Sequence, residues 1–363
     1  MDAFDRYRAQ ASFGALDGLR CLCIVAVVWH HSVAIDFDLP IAGRGFLGVD
    51  LFFVISGYLI VTLLLREHRR TGTISLRNFY IRRTLRIFPV YYAIVFALSL
   101  YYWLVNTDSE VGQQFLKDIP IYLTYTGNFF HPGWAVVWSL AAEEQFYLVW
   151  PQIEKYFSRM FWPVMLFLLA ANQLLNFPQS RSAIAEALNA PNLFALPIFE
   201  VTFTPILLGV CLAHGLDERA SFDRLKRALA GRLLPLGWLL GLLVLVMLPN
   251  EDISGFHRLT IHVFMVGLLG SCIIREDHAL MPLLRLKPFV HIGMISYGVY
   301  LFHIHAIGVA ERLAEKFGMM DSGPRFMLSL ALSIIVADLS FRFFERPFLK
   351  LKARFSDVHS PRA

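Results

Sequence analysis

The sequence predicts an all-α fold: a polytopic integral membrane protein of about ten transmembrane helices, with both termini cytoplasmic. Three observations predict it. Hydrophobic residues make up 56% of the chain and charged residues 17%, with a mean hydropathy of +0.54, whereas a soluble domain carries about 25% charged residues. The apolar residues gather into runs near the ~20 residues that a bilayer demands. Finally, 25 of the 33 Lys and Arg residues fall in alternate connecting segments, the asymmetry that marks a cytoplasmic face.

Taken in order, the runs place spans near 17–36, 46–65, 88–106, 138–153 and 161–177. Five more follow near 193–213, 233–249, 259–274, 289–309 and 325–344. Between the third and fourth, "KDIPIYLTYTGNFFHPGW" is broken by Pro120, Gly127 and Pro132. It is expected as an interfacial or re-entrant piece, covered by protein or water. The basic segments are 1–20, 66–87, 154–160, 214–232, 275–288 and 346–363. A pI near 9.0 therefore reports membrane topology and excludes a nucleic-acid footprint.

The first run is expected to remain as a span. Arg20 and two histidines interrupt it, and no small-residue cleavage site follows, unlike a signal peptide. No linker, low-complexity tract or repeat divides the chain, so a single membrane-embedded domain over 1–363 is expected, without an appended soluble domain. The four cysteines lie in or beside apolar runs without CxxC spacing. They read as apolar filler, and no metal site is expected. A GxxxG at Gly237–Gly241 is too common a pattern to define an oligomer.

Charge inside a span is costly and marks function by default. In "DGLRCLCIVAVVWHH", Arg20 and His31 are eleven positions apart, close to three helical turns, so they share one stripe ~16 Å long. Asp50 in "GVDLFFVISGYLI", Glu143 in "WSLAAEEQFYLVWP" and His303 in "HIGMISYGVYLFHIH" are the other intramembrane candidates. Counting residues from the predicted span edges puts His31, Asp50, Glu143 and His303 all ~20–25 Å from the cytoplasmic boundary. Two histidines and two carboxylates at one depth read as a buried polar site. The alternative is a set of hydrogen bonds that hold helices together.

Helical spacing also separates neighbours. Ser139, Glu143 and Tyr147 form one polar stripe, while Glu144 shares its stripe with Leu140 and Leu148. Ser296, Tyr300 and His303 share a face, and His305 points away. In "RNFYIRRTLRIFPVYY", Arg82, Arg83 and Arg86 lie on adjacent turns at the membrane entrance. That arrangement suits either a topology anchor or bidentate binding of phosphate.

The run "LDGLRCLCIVAVVWHH" resembles the opening motif of the membrane-bound acyltransferase-3 family, an Arg, ten residues and a His, which here is His31. "GVDLFFVISGYLI", "FYIRRTLRIFPVYY", "WSLAAEEQFYLVWP", "SYGVYLFH" and "FERPF" follow as similar blocks in the family's order, covering about 15–348. Cys21 stands where the family usually has Gly, and His30 doubles the histidine.

The resemblance implies transfer of an acyl group, often acetyl, from a coenzyme A thioester to a hydroxyl of a sugar, glycan or glycolipid. Acyl-CoA would be a co-substrate, with no permanently bound cofactor, and the location would be the cell inner membrane. In that frame His31, Arg20, Glu143 and Asp50 are the catalytic candidates, and Arg82, Arg83 and Arg86 would bind the donor phosphates. Tyr147, Trp138, Tyr300 and His303 are the acceptor-site candidates; the aromatic residues Tyr122, Tyr125 and Trp134 offer faces suited to a sugar ring, or equally form an interfacial aromatic belt. His31 would act as general base, oriented by a carboxylate, or accept the acyl group itself. A proton-coupled transporter is the other class compatible with intramembrane His and carboxylates, although no inverted repeat is evident.

Overall fold

The structure, a computed structural model, describes residues 2–10, 13–33, 40–199, 201–249, 253–318 and 321–355. Among these residues all regular structure is helical. The main helices of the first half are α1 (Ala3–Ala9), α2 (Leu16–Val33), α3 (Leu47–Thr71), α4 (Leu76–Leu104), α5 (Val137–Tyr156) and α6 (Phe161–Asn176). Those that follow are α7 (Thr204–Asp217), α8 (Arg219–Leu229), α9 (Leu234–Met247) and α10 (Gly255–Ile274). The last are α11 (Lys287–Met294), α12 (Ser296–Lys316) and α13 (Ser322–Ser340).

Among the described residues, four helices are long and apolar enough to cross a membrane, or seven if each of three bent pairs is one span. The ten expected spans are not reproduced. The expected 289–309 span is divided at Ile295 into α11 and α12, which meet at 79°. The expected 233–249 span is the 14-residue α9, which α8 precedes at a 71° bend. A third bend of 91° separates Ser158–Asn176 from Pro178–Ala187. Apolar composition identifies membrane-embedded chain, but it does not register breaks that neighbouring helices stabilise.

The arginine cluster differs from expectation in a useful way. It lies on α4 itself, which begins at Leu76, twelve residues before the predicted span at 88. Ser75 caps the helix by accepting the Asn78 amide at 3.3 Å, satisfying one of the unpaired N–H groups of the first turn.

The chain forms two compact units. Among the described residues the first lies within 2–65 and 205–347. Here α2 packs against α11, α12 and α13, burying Leu19, Ile24, Val27 and Val28. Between helices in lipid there is little hydrophobic drive, so association depends on close backbone packing at small residues. Gly293 provides it: a Cβ there would sit 1.8 Å from the Asp17 carbonyl oxygen, so α11 lies directly on the first turn of α2. Gly57 and Gly209 repeat the device between α3 and α7. A Cβ on Gly57 would come within 2.1 Å of the Ile206 carbonyl, and one on Gly209 within 2.2 Å of the Val54 carbonyl.

The second unit comprises Arg66–Thr204 and Phe348–Ser356. Its broken segment folds on aromatic stacking. Tyr91 and Tyr125 lie 4.3 Å apart between ring centroids, Tyr91 also stacks on Trp134, and the Tyr91 hydroxyl donates to the Tyr122 carbonyl. Asp118 accepts the Gly133 amide at 2.7 Å, and the Asn128 and Gln145 side chains exchange two hydrogen bonds of 2.9 Å. Several backbone groups of this non-helical piece are thus bonded to protein side chains, the kind of cover that membrane depth requires. Tyr122, Tyr125 and Trp134 are all buried. Their faces are covered by other rings, so the sugar platform expected of these three is not available.

Candidate catalytic site

Within the first unit the structure brings His31 and His303 together. His31 is an exposed residue on the last turn of α2. Its Nδ1 lies 3.0 Å from the Val27 carbonyl oxygen, one turn back, and 3.3 Å from Nε2 of His303. The rings meet edge to face with centroids 4.9 Å apart. His303, on α12, is completely buried, and its Nδ1 lies 2.6 Å from the Tyr300 carbonyl oxygen. The Tyr300 ring packs on that of His303 at 5.3 Å. The predicted shared face of Tyr300 and His303 therefore turns toward α2, as packing of α12 on α2 requires.

His30 sets its ring edge-on to His31, with centroids 4.9 Å apart, and to Phe46. Arg20, at the other end of the stripe, is mostly buried and faces Asp17 at 3.6 Å. The stripe thus has a paired cation at one end and an exposed histidine at the other.

Asp50 occupies a different network in the same unit. Its carboxylate accepts from Nε2 of His262 at 2.8 Å and from the Arg258 guanidinium at 3.2 Å. Asp50 is 1% exposed and His262 is fully buried. Among the described residues Asp50 makes no hydrogen bond to His31. Depth along the spans does not single out Arg258 and His262. A signal is present nonetheless: an Arg and a His at i, i+4 at the start of an apolar span, hence on one helical face.

The remaining candidates lie in the second unit. The Tyr147 hydroxyl donates to Glu143, an i, i+4 pair on α5 that follows from the predicted stripe. The Arg83 guanidinium stacks over the Tyr147 ring, 3.9 Å from its centroid. Arg82 is engaged differently. One arm of its guanidinium donates to buried Glu67 at 3.0 Å and the other to the Phe355 carbonyl at 2.8 Å. Glu67 also accepts the Ser75 amide at 2.7 Å, so Arg82 belongs to a lock at the start of α4. Arg86 is half-buried on the next turn of α4, and Trp138 is half-buried on the first turn of α5.

A family model described as an acyltransferase domain matches residues 13–342. Three similar proteins span nearly all of this chain. Peptidoglycan O-acetyltransferase OatA of Listeria monocytogenes is 29% identical, over 93% of this chain and 56% of its own length. "Putative peptidoglycan O-acetyltransferase YrhL" of Bacillus subtilis is 28% identical, over 92% and 54%. An O-acetyltransferase of Staphylococcus aureus strain COL, whose name is likewise qualified as putative, is 26% identical, over 96% and 59%. The chain spans little more than half the length of these relatives. No solved structure matches it.

Proposed function

The chain belongs to the acyltransferase family whose model covers residues 13–342, and from that membership we propose that it is a membrane O-acetyltransferase of a glycan hydroxyl, with His31 as the reacting group. The observation that carries the reading is the exposed His31, three helical turns along the Arg20 stripe and held by a buried partner. The relatives named as peptidoglycan O-acetyltransferases support an acetyl donor and a peptidoglycan-type acceptor. A transporter gains no support from them.

The donor is acetyl-CoA, delivered from the cytoplasmic face of the inner membrane. Arg83 and Arg86 are the proposed contacts for its phosphates. Stacking on Tyr147 fixes the plane of the Arg83 guanidinium and leaves its N–H edge suited to two phosphate oxygens. Arg82 is assigned to the lock with Glu67 rather than to the donor.

In direct transfer, the acceptor hydroxyl oxygen attacks the thioester carbonyl as His31 takes the hydroxyl proton. The C–O bond forms, the C–S bond breaks, and the proton passes to the departing thiolate. In the two-step route a ring nitrogen of His31 attacks the thioester carbonyl and the C–S bond breaks, releasing the CoA thiolate. The acceptor hydroxyl then attacks the acyl-imidazole, the C–N bond breaks, and the hydroxyl proton leaves with the thiol. Both routes place the same residue at the reacting carbon.

The test is transfer of radiolabelled acetyl from acetyl-CoA to glycan fragments in membranes containing the full chain. Wild type should form an ester, His31→Ala should form none at equal membrane level, and His30→Ala should retain much of the activity. Ester formation by His31→Ala at the wild-type rate would remove His31 from the chemistry. Absence of any ester with wild type across peptidoglycan and other glycan acceptors would overturn the reading as a whole.

A further inference from the structure

Resting on the reading that His31 reacts, we infer that His303 is a positioning residue which fixes the tautomer of His31 and presents its Nε2 as the reacting atom. Two carbonyl oxygens face the two rings. A carbonyl can only accept a hydrogen bond, so a ring nitrogen facing one must carry the hydrogen. The Tyr300 carbonyl is 2.6 Å from Nδ1 of His303. His303 therefore holds its proton on Nδ1, and Nε2 keeps a lone pair. That lone pair faces Nδ1 of His31 at 3.3 Å.

The Val27 carbonyl imposes the same pattern independently. It lies 3.0 Å from Nδ1 of His31, so this nitrogen also carries its hydrogen, shared between Val27 and His303. Neutral imidazole has one N–H, and Nε2 of His31 is left with the lone pair. Nε2 is the ring nitrogen that neither Val27 nor His303 engages. The two histidines form one directed chain, from His31 to His303 to the Tyr300 carbonyl.

Burial excludes the acceptor-binding role expected for His303. With no exposed surface it cannot touch a sugar, so it must act through His31. The chain also prepares His31 for protonation. When Nε2 takes the hydroxyl proton, positive charge spreads to the Nδ1–H, which already points at two acceptors. An Asp performs this task for His in many hydrolases. Here the partner is an uncharged imidazole, itself oriented by a main-chain carbonyl.

The test compares His303→Leu with His303→Gln in the full chain. Gln places its carbonyl oxygen near the position of the lost Nε2 and can accept the same hydrogen bond, whereas Leu cannot. His303→Leu should lower kcat on the order of 10–100-fold, since removing an orienting partner forfeits part of the gain from general-base catalysis. KM for acetyl-CoA and for the glycan should stay nearly unchanged, and His303→Gln should recover most of the loss. In ¹⁵N-histidine spectra, His31 should show a protonated Nδ1 and a bare Nε2 in wild type and in His303→Gln, and a mixture of tautomers in His303→Leu. Should the Leu variant fail to accumulate in membranes, His303→Asn, too short to reach Nδ1 of His31, takes its place.

Wild-type turnover by the variant lacking an acceptor, with His31→Ala inactive, overturns the inference and leaves the function standing. The inference also falls if His303→Gln is as impaired as His303→Leu while the His31 spectrum is unchanged, because only packing is then at stake. Activity in His31→Ala, by contrast, refutes the functional reading itself.

Discussion

Asp50 and His262, 212 residues apart in sequence, are joined by a 2.8 Å hydrogen bond, and neither side chain has appreciable surface. Arg258 shares the same carboxylate, so the group ties α3 to α10. Removing one partner of a buried ion pair strands the other charge, at a cost of about 3–5 kcal/mol. Asp50→Asn should therefore lower the Tm of the detergent-solubilised protein markedly. Turnover per folded molecule should fall far less than for His31→Ala. Asp50→Asn combined with Arg258→Gln should lose less stability than the two singles summed. Additive losses would show that the pair does not act as a unit.

Arg82 and Arg83 are adjacent in sequence and differ in employment. Arg82→Gln breaks the lock on buried Glu67 and should destabilise the protein by about 1–3 kcal/mol, the cost of an unsatisfied buried group. Its KM for acetyl-CoA should remain near wild type. Arg83→Gln should raise that KM with kcat little changed, because phosphate contacts are common to ground and transition states. Thermal melts and steady-state kinetics of both variants separate the roles.

Glu143, a catalytic candidate from its sequence motif, accepts from Tyr147 beneath the Arg83 guanidinium in the second unit, whereas the partner of His31 is His303. Glu143→Gln preserves shape and removes charge, and is expected to shift the KM for acetyl-CoA through Tyr147 and Arg83 with kcat little changed. Tyr147→Phe keeps the ring beneath Arg83 and should leave the donor KM unchanged, whereas Tyr147→Leu should raise it. A fall in kcat by orders of magnitude for Glu143→Gln with the donor KM unchanged would instead place Glu143 in the chemistry.

Gly293→Ala tests the packing of α11 on α2. Its Cβ would meet the Asp17 carbonyl at 1.8 Å, so the backbones must separate. Lower folded yield and a reduced Tm are expected. Gly308→Ala, where a Cβ meets nothing within 4 Å, should be tolerated or mildly stabilising through helix propensity.

The sequence made the relationships within each helix legible because 3.6 residues per turn is a property of the backbone alone. The Glu143–Tyr147 pair and the common face of Tyr300 and His303 are both observed where that period puts them. Composition likewise made the all-helical, membrane-embedded character legible, and the ordered motif blocks identified the family. Span edges were less legible. The division at Ile295 lies beside the close contact of Gly293 with Asp17, and α4 starts early at its Ser75 cap; neither feature is written in how apolar the segment is.

Depth counting placed His31, His303 and Asp50 at one level, but depth says nothing about the direction in which a side chain faces around its helix axis. The tertiary structure decided that. It turned His303 toward His31 across 272 residues of sequence and turned Asp50 toward Arg258 and His262. It also gave Arg82 to Glu67 and the Phe355 carbonyl. Sequence determined the fold class and which residues share a helical stripe, since both follow from local composition and backbone period, and its ordered motif blocks carried the resemblance to the family. Which stripes meet was decided only by helix rotation and crossing, and those are set by where small residues such as Gly293, Gly57 and Gly209 let backbones touch.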